Sequence, residues 1–162
     1  MVKNVPNIET DRLYLRAMDE TDAEDVIRWR SEPSVYRFFK SPHKISAEEH
    51  SSWFKTIYLK DVDRFEWICF ERQSKRKIGV FGIRRSADSV EISYLLDVEF
   101  QHKGYAVETI EALIKFVKNE LNIRRIIAEI HEYNKASIRL VEKMGFLATA
   151  YNSPFWIYEL GE

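Results

Sequence analysis

The feature that most constrains the fold is a short loop at residues 101–106, which separates two regular patterns. Residues 90–96 before it are apolar and β-prone, which predicts a strand. The apolar residues after it recur at helical spacing and are Val107, Ile110, Leu113, Ile114 and Val117. A helix that begins at such a loop presents several unpaired N–H groups toward one point. Its dipole adds positive potential there, so the loop suits a pyrophosphate.

Three loop residues favour the binding of an anion. Gly104 lets the backbone approach a phosphate closely, and Ala106 adds little bulk beside it. Lys103 adds a positive charge. Loop-to-helix junctions with a glycine are also common where no ligand binds, so both interpretations stay open at this point.

A second motif lies at residues 134–146. Asn134 is a preferred capping residue for a helix start, and Ser137 follows three positions later. Gly145 suits the helix end, where a left-handed backbone is common. Residues 125–130 before this helix are again apolar and β-prone, which predicts another strand.

The order of strand, anion loop, helix, strand and a helix opened by N-x-x-S and closed by K-x-G-F resembles the GNAT superfamily of acyl-CoA-dependent N-acyltransferases. The resemblance extends over nearly the whole chain. Residues 9–16, E-T-D-R-L-Y-L-R, are similar to the first strand of the branch that contains the ribosomal-protein alanine acetyltransferases. The resemblance implies an α+β fold with a mostly antiparallel sheet of about seven strands, helices on both faces, and the order β-α-α-β-β-β-α-β-α-β-β.

The remaining patterns predict elements that fit this order. Strands are predicted at residues 13–17, 65–70, 78–83, 147–151 and 155–160, the second and third forming an antiparallel meander with residues 90–96. Helices are predicted from Asp19, from near Pro33 through Phe39, and from the capping box at Ser46. The acidic residues that follow Asp19 suit a polyamine, or they complement the dipole of a helix start.

Composition limits the function classes. The chain has 162 residues, a net charge of −1 and one cysteine, which predicts a single domain. The resemblance implies that this is a GNAT N-acetyltransferase domain over residues 1–162. The balanced charge gives no reason to expect a nucleic acid partner, and no apolar run suits a membrane span or signal peptide. We therefore expect a cytoplasmic protein, a monomer or homodimer. Cys69 and four scattered histidines predict neither a disulfide nor a metal site.

The resemblance implies acetyl-CoA as the co-substrate. Main-chain groups near Leu95 and Leu96 would bind the pantetheine amides where the motif strand bulges and splays from its neighbour. Asn134 and Ser137 would lie beside the pantetheine, although helix capping alone would explain Asn134. The residues that would cradle the pyrophosphate are Gln101, His102, Lys103, Gly104, Tyr105 and Ala106.

Direct transfer from a thioester to an amine needs a proton acceptor for the amine. Glu91 lies at the head of the motif strand, where this branch often has the acidic residue of an E-x-x-Y pattern. It is the leading candidate, although a carboxylate that only meets solvent at a strand end would look the same. Glu66 and Glu129 are alternatives, although the alternation of side chains along a strand does not by itself direct either one at the thioester.

The residue at the position of the usual proton donor differs from that in many members of the superfamily. Many members have a tyrosine near the leaving thiolate, and Val141 occupies that position here. Ser137 is the candidate for a hydrogen bond to the thiolate, and Tyr133 and Tyr94 are further possibilities.

The acceptor is predicted from the basic and aromatic residues upstream of the meander. The segments Arg28-Trp29-Arg30 and Glu49-His50-Ser51-Ser52-Trp53-Phe54 resemble those of acetyltransferases that modify nucleotide-linked amino sugars, as in the pseudaminic acid pathway. Guanidinium groups pair with a diphosphate, and aromatic faces stack on a base or sugar. The candidates are Arg28, Arg30, Tyr36, Trp67 and Tyr94. Core packing is the competing explanation for the aromatic residues.

Three other functions stay open. In the first two, the amine that receives the acetyl group belongs to a ribosomal protein or peptide N-terminus, or to a polyamine such as spermidine. Alternatively, the chain is a non-catalytic acyl-CoA-binding module, since the usual tyrosine is missing.

Overall fold

The computed structural model describes residues 3–161, which form a single mixed sheet with helices on both faces. The strands are β1 Ile8–Glu9, β2 Leu13–Ala17, β3 Arg64–Glu71, β4 Lys77–Arg85, β5 Ser89–Leu96, β6 Arg125–His131, β7 Leu147–Asn152 and β8 Phe155–Leu160. They lie in the order β1-β2-β3-β4-β5-β6-β8-β7. Every pairing in this part of the chain is antiparallel except that of β5 with β6. The predicted α+β architecture and the meander are confirmed.

The helices are α1 Ala23–Arg30, α2 Pro33–Tyr36, α3 Ala47–Thr56, α4 Tyr105–Glu120 and α5 Lys135–Lys143. Single turns of 3-10 helix lie at Glu20–Asp22, Tyr58–Lys60 and Val98–Phe100. None of the helices among residues 3–161 has both the length and the apolar character needed to span a bilayer.

Local capping determines where two of the helices begin. The Ser46 hydroxyl accepts a hydrogen bond from the Glu49 N–H at 3.1 Å, and the Glu49 carboxylate accepts one from the Ser46 N–H at 3.3 Å. This reciprocal pair starts α3 at the predicted capping box. Asn134 caps α5 in the same sense, since its side-chain oxygen accepts from the Ser137 N–H at 3.3 Å.

The sheet separates two apolar cores. The larger core lies between the sheet and α4, and its fully buried members include Trp67, Phe81, Leu113 and Ile126. The smaller core lies under α1 and α3, where Val26, Trp29 and Phe54 pack on Ile68, Val80 and Leu95. Neighbouring residues of one strand therefore face different cores, as strand alternation requires. Each strand side chain is thus assigned to one of two chemically distinct faces.

The two central strands part after a short contact. β5 and β6 pair only at Ser89↔Arg125, Val90↔Ile126 and Glu91↔Ile127. Beyond this point β6 stays paired with β8 through His131, while β5 stays paired with β4 through Leu96. A wedge-shaped opening therefore lies between the second half of β5 and the second half of β6. The splay that the resemblance implied is present.

Three expectations need correction. The sheet has an additional short strand because Ile8 and Glu9 pair with Leu15 and Tyr14. The helix that begins at Pro33 ends at Tyr36, so Phe38 and Phe39 lie in the following turn, and α3 is a third helix where the order implied two. The pairing of β5 with β4 runs without a register shift, so it contains no bulge of the kind expected for the motif strand.

A buried ionic cluster ties the start of α1 to the sheet. The Asp22 side chain is fully buried and accepts from Arg16 through two bonds of 2.8 Å, while Lys77 Nζ lies 2.7 Å from it. Burial raises the pKa of Asp22, but hydrogen bonds from Arg16, the Asp19 N–H and Lys77 outweigh that effect. The net result holds the Asp22 pKa below its ordinary value. The acidic residues after Asp19 therefore serve the fold as well as the helix dipole.

We expect Asp22→Asn to lower the free energy of unfolding by about 3–5 kcal/mol at neutral pH, because two cations lose their buried partner. Because the Asp22 pKa is lower in the folded state, this contribution is complete above the pKa of an unfolded aspartate, about 4, and is lost as the pH falls through the lower pKa of the folded state. Urea unfolding at pH 7 and at acidic pH measures both effects.

The control for this substitution is Asp88→Asn, because the Asp88 side chain is 76% exposed and its oxygen lies 3.8 Å from Arg125. That variant should lie within about 0.5 kcal/mol of wild type. Equal losses in the two variants would contradict a special role for the Asp22 cluster.

Candidate functional site

The loop before α4 has the backbone that the sequence predicts for an anion site. His102 and Gly104 both adopt the left-handed conformation, with φ of 63° and 81°. Gly104 is the residue before α4, and its lack of a side chain makes this φ accessible. No side chain caps the start of α4 within residues 3–161. The first N–H groups of α4 are therefore available to a ligand.

An arginine that the sequence analysis did not select holds this loop in place. Arg12 donates from Nη1 to the Lys103 carbonyl at 3.0 Å and from Nε to Glu108 at 2.7 Å. Its guanidinium also lies 4.4 Å from the ring centroid of Tyr105. Arg12 belongs to residues 9–12, E-T-D-R, for which the sequence pattern predicts only part of a strand. Its long-range contact to the loop gives that segment a role at the site.

The loop side chains divide into two groups. His102 and Lys103 are exposed, so their polar ends are free to meet a ligand. The Tyr105 side chain is buried and its hydroxyl donates to Glu71, which leaves the Tyr105 N–H as its contribution to an anion site. Gln101 donates from Nε2 to the Leu96 carbonyl at 3.3 Å and so connects the loop to the end of β5.

The opening between β5 and β6 exposes alternate peptide groups. The Asp97 N–H donates to the Ile78 carbonyl at 2.8 Å, which fixes the phase of the antiparallel ladder with β4. Leu95 and Ser93 lie on β5 two and four residues before Asp97, so their N–H and C=O groups also point to β4. Tyr94 and Leu96 direct theirs into the opening. Of the two residues predicted to contact pantetheine, Leu96 directs its main chain toward the opening and Leu95 directs its main chain to β4.

A pair of hydroxyl groups lies across this opening. The Tyr94 hydroxyl and the Ser137 hydroxyl are 2.9 Å apart, which joins β5 to the first turn of α5. Burial raises the pKa of Tyr94, and the hydrogen bond with Ser137 only partly opposes this shift. Tyr94 therefore keeps its proton at neutral pH. Val141 is buried in the core, and Tyr133 is 69% exposed on the surface.

A polar cleft of about 180 Å³ lies on the opposite face of the sheet, the face that carries α1 and α3. It adjoins the same opening because Glu91 and Ser93 belong to β5. The cleft is lined by Lys40, Arg64, Glu66, Ile83, Arg84, Glu91 and Ser93. Carboxylates and cations thus share a small space. An acceptor bound there would reach the opening from the face opposite α4.

Two cleft carboxyl groups have raised pKa values. Burial is the main cause for Glu91, and repulsion by Glu129 adds to it, while Lys40 and two arginines act in the other direction. Burial raises the pKa of Glu66 to about 7, against the opposing effect of Arg64, Arg30 and Lys3. Both groups are therefore better proton acceptors than an ordinary surface glutamate. Glu66 faces this cleft, which the alternation of side chains along β3 did not by itself predict.

The segment after α2 crosses to the other side of the opening. Lys40 Nζ lies 2.8 Å from Glu129 Oε1 on β6, and the rings of Phe38 and His131 are 5.5 Å apart. These contacts place Lys40 beside the cleft, with its ammonium group paired to the Glu129 carboxylate. This contact could not be predicted from the sequence, because the segment has no regular pattern.

The predicted acceptor residues are only partly brought together. Trp67 is fully buried on the α4 face and donates to the Pro6 carbonyl at 2.8 Å, so it does not reach the cleft. Arg28 is committed to Asp97 at 2.9 Å and to Asp25 at 3.1 Å. The prediction for Trp67 is contradicted, because strand alternation turns its side chain into the core. Arg28 stays a prediction: its side chain is 56% exposed and is paired at the end of β5.

Of the other predicted acceptor residues, Arg30 lies near the carboxylates of the cleft. Arg30 packs its guanidinium over the Phe39 ring at 5.2 Å and is close enough to Glu66 for their charges to interact. Tyr36 is partly exposed at the end of α2. Tyr94 is at the opening, on the side of Ser137. The cleft cations Arg64, Arg84 and Lys40 were not selected from the sequence.

Comparison with known proteins gives a family match and several relatives. The family described as Acetyltransferase (GNAT) domain matches residues 12–147. The chain is 32% identical over 146 residues to the uncharacterized N-acetyltransferase YoaA of Bacillus subtilis, covering 87% of this chain and 82% of YoaA. It is 26% identical over 170 residues to the ribosomal protein uS5-alanine N-acetyltransferase of Escherichia coli, covering 96% of this chain and 87% of that protein.

A third relative is longer than this chain. The uncharacterized protein MJ1062 of Methanocaldococcus jannaschii is 32% identical over 162 residues, covering 94% of this chain, and the chain spans 32% of its length.

Solved structures have the same fold. A domain from Methanocaldococcus jannaschii superposes with a TM-score of 0.84 at 29% identity, covering 93% of this chain and 99% of that domain. FdhC, described as a nucleotide-linked sugar GNAT, has a TM-score of 0.82 at 18% identity, covering 96% and 89%. Spermidine N-acetyltransferase from Vibrio cholerae has a TM-score of 0.80 at 18% identity, covering 93% and 94%. At these lower identities the likeness concerns the fold alone.

We expect Gly104→Asp to abolish the thermal stabilisation that acetyl-CoA gives, because it places a side chain and a negative charge at the anion loop. In the wild type a hundredfold excess of ligand over Kd should raise the Tm by on the order of 5 °C or more. Differential scanning fluorimetry with and without acetyl-CoA measures the change for each protein.

Gly145→Asp is the matched control, since Gly145 also has a positive φ, of 97°, but lies at the end of α5. It carries the same backbone strain and the same added charge, and its ligand-induced rise in Tm should persist. A full rise in Gly104→Asp would refute the assignment of this loop to the pyrophosphate.

Proposed function

The chain belongs to the GNAT acetyltransferase family and is an acetyl-CoA-dependent N-acetyltransferase domain, and on this premise we propose that its acceptor is the amino group of a nucleotide-linked amino sugar. The family match to residues 12–147 supports a single domain over residues 1–162. The observation that carries the acceptor proposal is the mixed charge of the cleft, in which carboxylates and cations face one another beside the opening.

The residues around the loop and the opening fit acetyl-CoA. The uncapped start of α4, the left-handed Gly104 and the exposed Lys103 suit the pyrophosphate. The main-chain groups of Tyr94 and the Leu96 N–H have no strand partner on this side among the described residues and suit the amides of the pantetheine arm, while the Leu96 carbonyl already accepts from Gln101. When bound, acetyl-CoA supplies the acetyl thioester. We assign the remaining contacts to Gln101, His102, the Tyr105 and Ala106 main chain, Asn134 and Ser137.

Glu91 is the proposed proton acceptor at the opening. It is half-buried at the last residue pair before β5 and β6 part, so its carboxylate lies at the head of the space where the amine must enter. Its raised pKa makes it a stronger base than an exposed glutamate. The Tyr94 N–H, which points into the opening and is nearer to Glu91 than the Leu96 N–H, is assigned to the oxygen that becomes negative as the amine attacks.

Ser137 is the proposed hydrogen-bond donor to the departing sulfur. The Tyr94 hydroxyl lies 2.9 Å from the Ser137 hydroxyl and retains its proton at neutral pH, so it is able to resupply a proton that Ser137 gives up. This pair compensates for Val141 at the position where many relatives have a tyrosine. It bridges β5 and α5, on the side of the sheet that holds α4.

A nucleotide-linked amino sugar presents an ammonium and a diphosphate, and the cleft offers partners for both. Glu91 and Glu66 suit the ammonium. Arg84 suits the diphosphate because its side chain is 60% exposed and its nearest carboxylate, that of Asp61, lies 3.4 Å away. Such exposed guanidinium groups bind phosphate oxygens in pairs. A polyamine gains nothing from these cations, which would repel it.

A peptide N-terminus is the second candidate acceptor. It is supported by the 26% identity, over 96% of this chain, to the ribosomal protein uS5-alanine N-acetyltransferase. A peptide amine also suits the two cleft carboxylates. The cations then have to pair with side chains or carbonyl groups of the peptide.

A competition assay distinguishes these acceptors. Acetyl-CoA is offered together with a UDP-linked amino sugar, spermidine and an alanine-starting peptide, and the acetylated products are identified by mass spectrometry. We expect the amino sugar to be acetylated first. Exclusive acetylation of the peptide or the polyamine would overturn the acceptor proposal and leave the acetyltransferase assignment intact.

Two adjacent arginines give a matched test of the diphosphate contact. Arg84 lines the cleft, whereas Arg85 faces the other side, packs over Phe65 and lies 3.3 Å from Asp63. Arg84→Ala should raise the acceptor KM by roughly tenfold, the effect of about 1.4 kcal/mol of lost binding, and the KM should depend less on salt. Arg85→Ala should leave the KM near wild type. Equal KM values in the two variants would exclude Arg84 from acceptor binding.

A further inference from the structure

Glu66 lies in a row of residues that leads across the sheet to the opening. It pairs with Gly82 across β3 and β4, and Gly82 pairs with Ser93 across β4 and β5. A Cβ atom added to Gly82 would lie 2.3 Å from Glu66 Oε2 and 2.7 Å from Glu66 Cδ. The Glu66 carboxyl group therefore occupies the space where a side chain at position 82 would stand.

The missing side chain of Gly82 determines the reach of Glu66. Neighbouring strands are about 4.8 Å apart, so a carboxyl group that lies over β4 has covered one strand spacing toward Ser93. Ser93 is exposed in the part of β5 that borders the opening. A glycine in the middle of a strand weakens it, and such a glycine often marks a close approach by another group. Here that group is a carboxylate directed at the acceptor cleft.

The surroundings of Glu66 differ from those of a structural ion pair. Its side chain is 13% exposed, and its nearest cation is Arg64, at 3.9 Å. Among residues 3–161 no donor makes a hydrogen bond to the Glu66 carboxylate, whereas the fully buried Asp22 has several. The Glu66 carboxyl group is thus largely shielded from water but still reaches the cleft, and no hydrogen-bond donor in the part of the chain that the structure describes stabilises its negative charge. Such groups are concentrated at functional sites.

We propose that Glu66 accepts the first proton from the ammonium group of the acceptor, so that the amine reaches the thioester uncharged. This inference rests on the proposed acetyltransferase function. The nitrogen arrives with three protons and loses two as the C–N bond forms and the C–S bond breaks. Glu66 takes the first and releases it to solvent through the cleft. Glu91 takes the second and later releases it to solvent, while the sulfur leaves with a proton from Ser137, which is replaced from solvent by way of the Tyr94 hydroxyl.

Several charged groups face Glu66 and set its protonation. Arg64 on β3, Arg30 on α1 and Lys3 favour the carboxylate, and burial opposes it. The other charged residues that line the cleft are Lys40, Arg84 and Glu91. With a pKa of about 7, Glu66 is mostly ionised above neutral pH and mostly protonated below it. Its capacity to accept a proton should therefore fall as the pH drops below 7.

The test compares Glu66→Gln, Glu66→Asp and Gly82→Ala with wild type, by thiol release from acetyl-CoA across the pH range. The acceptor is whichever one the competition assay shows to be acetylated. Glu66→Gln should lower kcat on the order of a hundredfold near pH 7, the usual contribution of one general base. The loss should shrink at alkaline pH, where the acceptor loses its proton unaided. The stabilisation by acetyl-CoA should stay as in wild type.

The other variants distinguish the effect of the position of the Glu66 carboxyl group from the effect of its charge. Glu66→Asp keeps the carboxylate and shortens the side chain by one methylene, so kcat should fall while an acid limb remains in the pH profile. Gly82→Ala displaces the Glu66 carboxyl group and should lower kcat without changing any charge. Asp63→Asn is the control, since Asp63 pairs with Arg85 on the other face, and its kcat should match wild type.

Two results would overturn the proposal. One is a wild-type kcat in Glu66→Gln across the pH range, or an effect confined to KM, which would indicate a binding role. The other is a carbon-13 NMR titration in which the Glu66 carboxyl of the folded wild-type protein titrates near 4 rather than near 7. The NMR measurement needs no turnover, and the use of an acceptor that is actually acetylated keeps this test separate from the choice of acceptor.

Discussion

The divergence of β5 and β6 is the constraint on which the rest of the site depends. These strands share three residue pairs, and then β6 follows β8 while β5 follows β4. The peptide groups of Tyr94 and Leu96 are left without a strand partner in the interior of the sheet. Unpaired main-chain groups at a strand edge favour the addition of another extended segment. A chain of amides such as pantetheine supplies one without any change in the sheet.

The sheet also separates the two reactants. The α4 face offers the anion loop, Ser137 and Tyr94, whereas the other face offers the carboxylates and cations of the cleft. Strand alternation produces this division, because Tyr94 lies between Ser93 and Leu95 and points to the opposite side. The reactants can therefore meet only at the opening. In the proposed mechanism the proton acceptors Glu66 and Glu91 lie on the cleft side of the sheet, and the hydroxyl groups of Ser137 and Tyr94 lie on the α4 side.

The sequence predicted what local chemistry determines. The capping residues Ser46 and Asn134, the loop glycine and the meander are all found where the patterns indicated them. Trp67 was assigned to the wrong face, since a period of two residues does not reveal which face is solvated. Arg12, Lys40 and Gly82 act through contacts with residues that are distant in the chain or on another strand. No local pattern marks such contacts, and the role of Gly82 depends on the side chain of Glu66.

The central claim is that the opening binds the pantetheine arm through alternate peptide groups of β5. Amide hydrogen exchange, resolved by residue with NMR, tests it in the presence and absence of acetyl-CoA. The account predicts slower exchange at the Tyr94 and Leu96 amides when the ligand is added. The Ser93 and Leu95 amides, already directed to β4, should change little. Unchanged exchange at Tyr94 and Leu96 with saturating ligand would contradict the account.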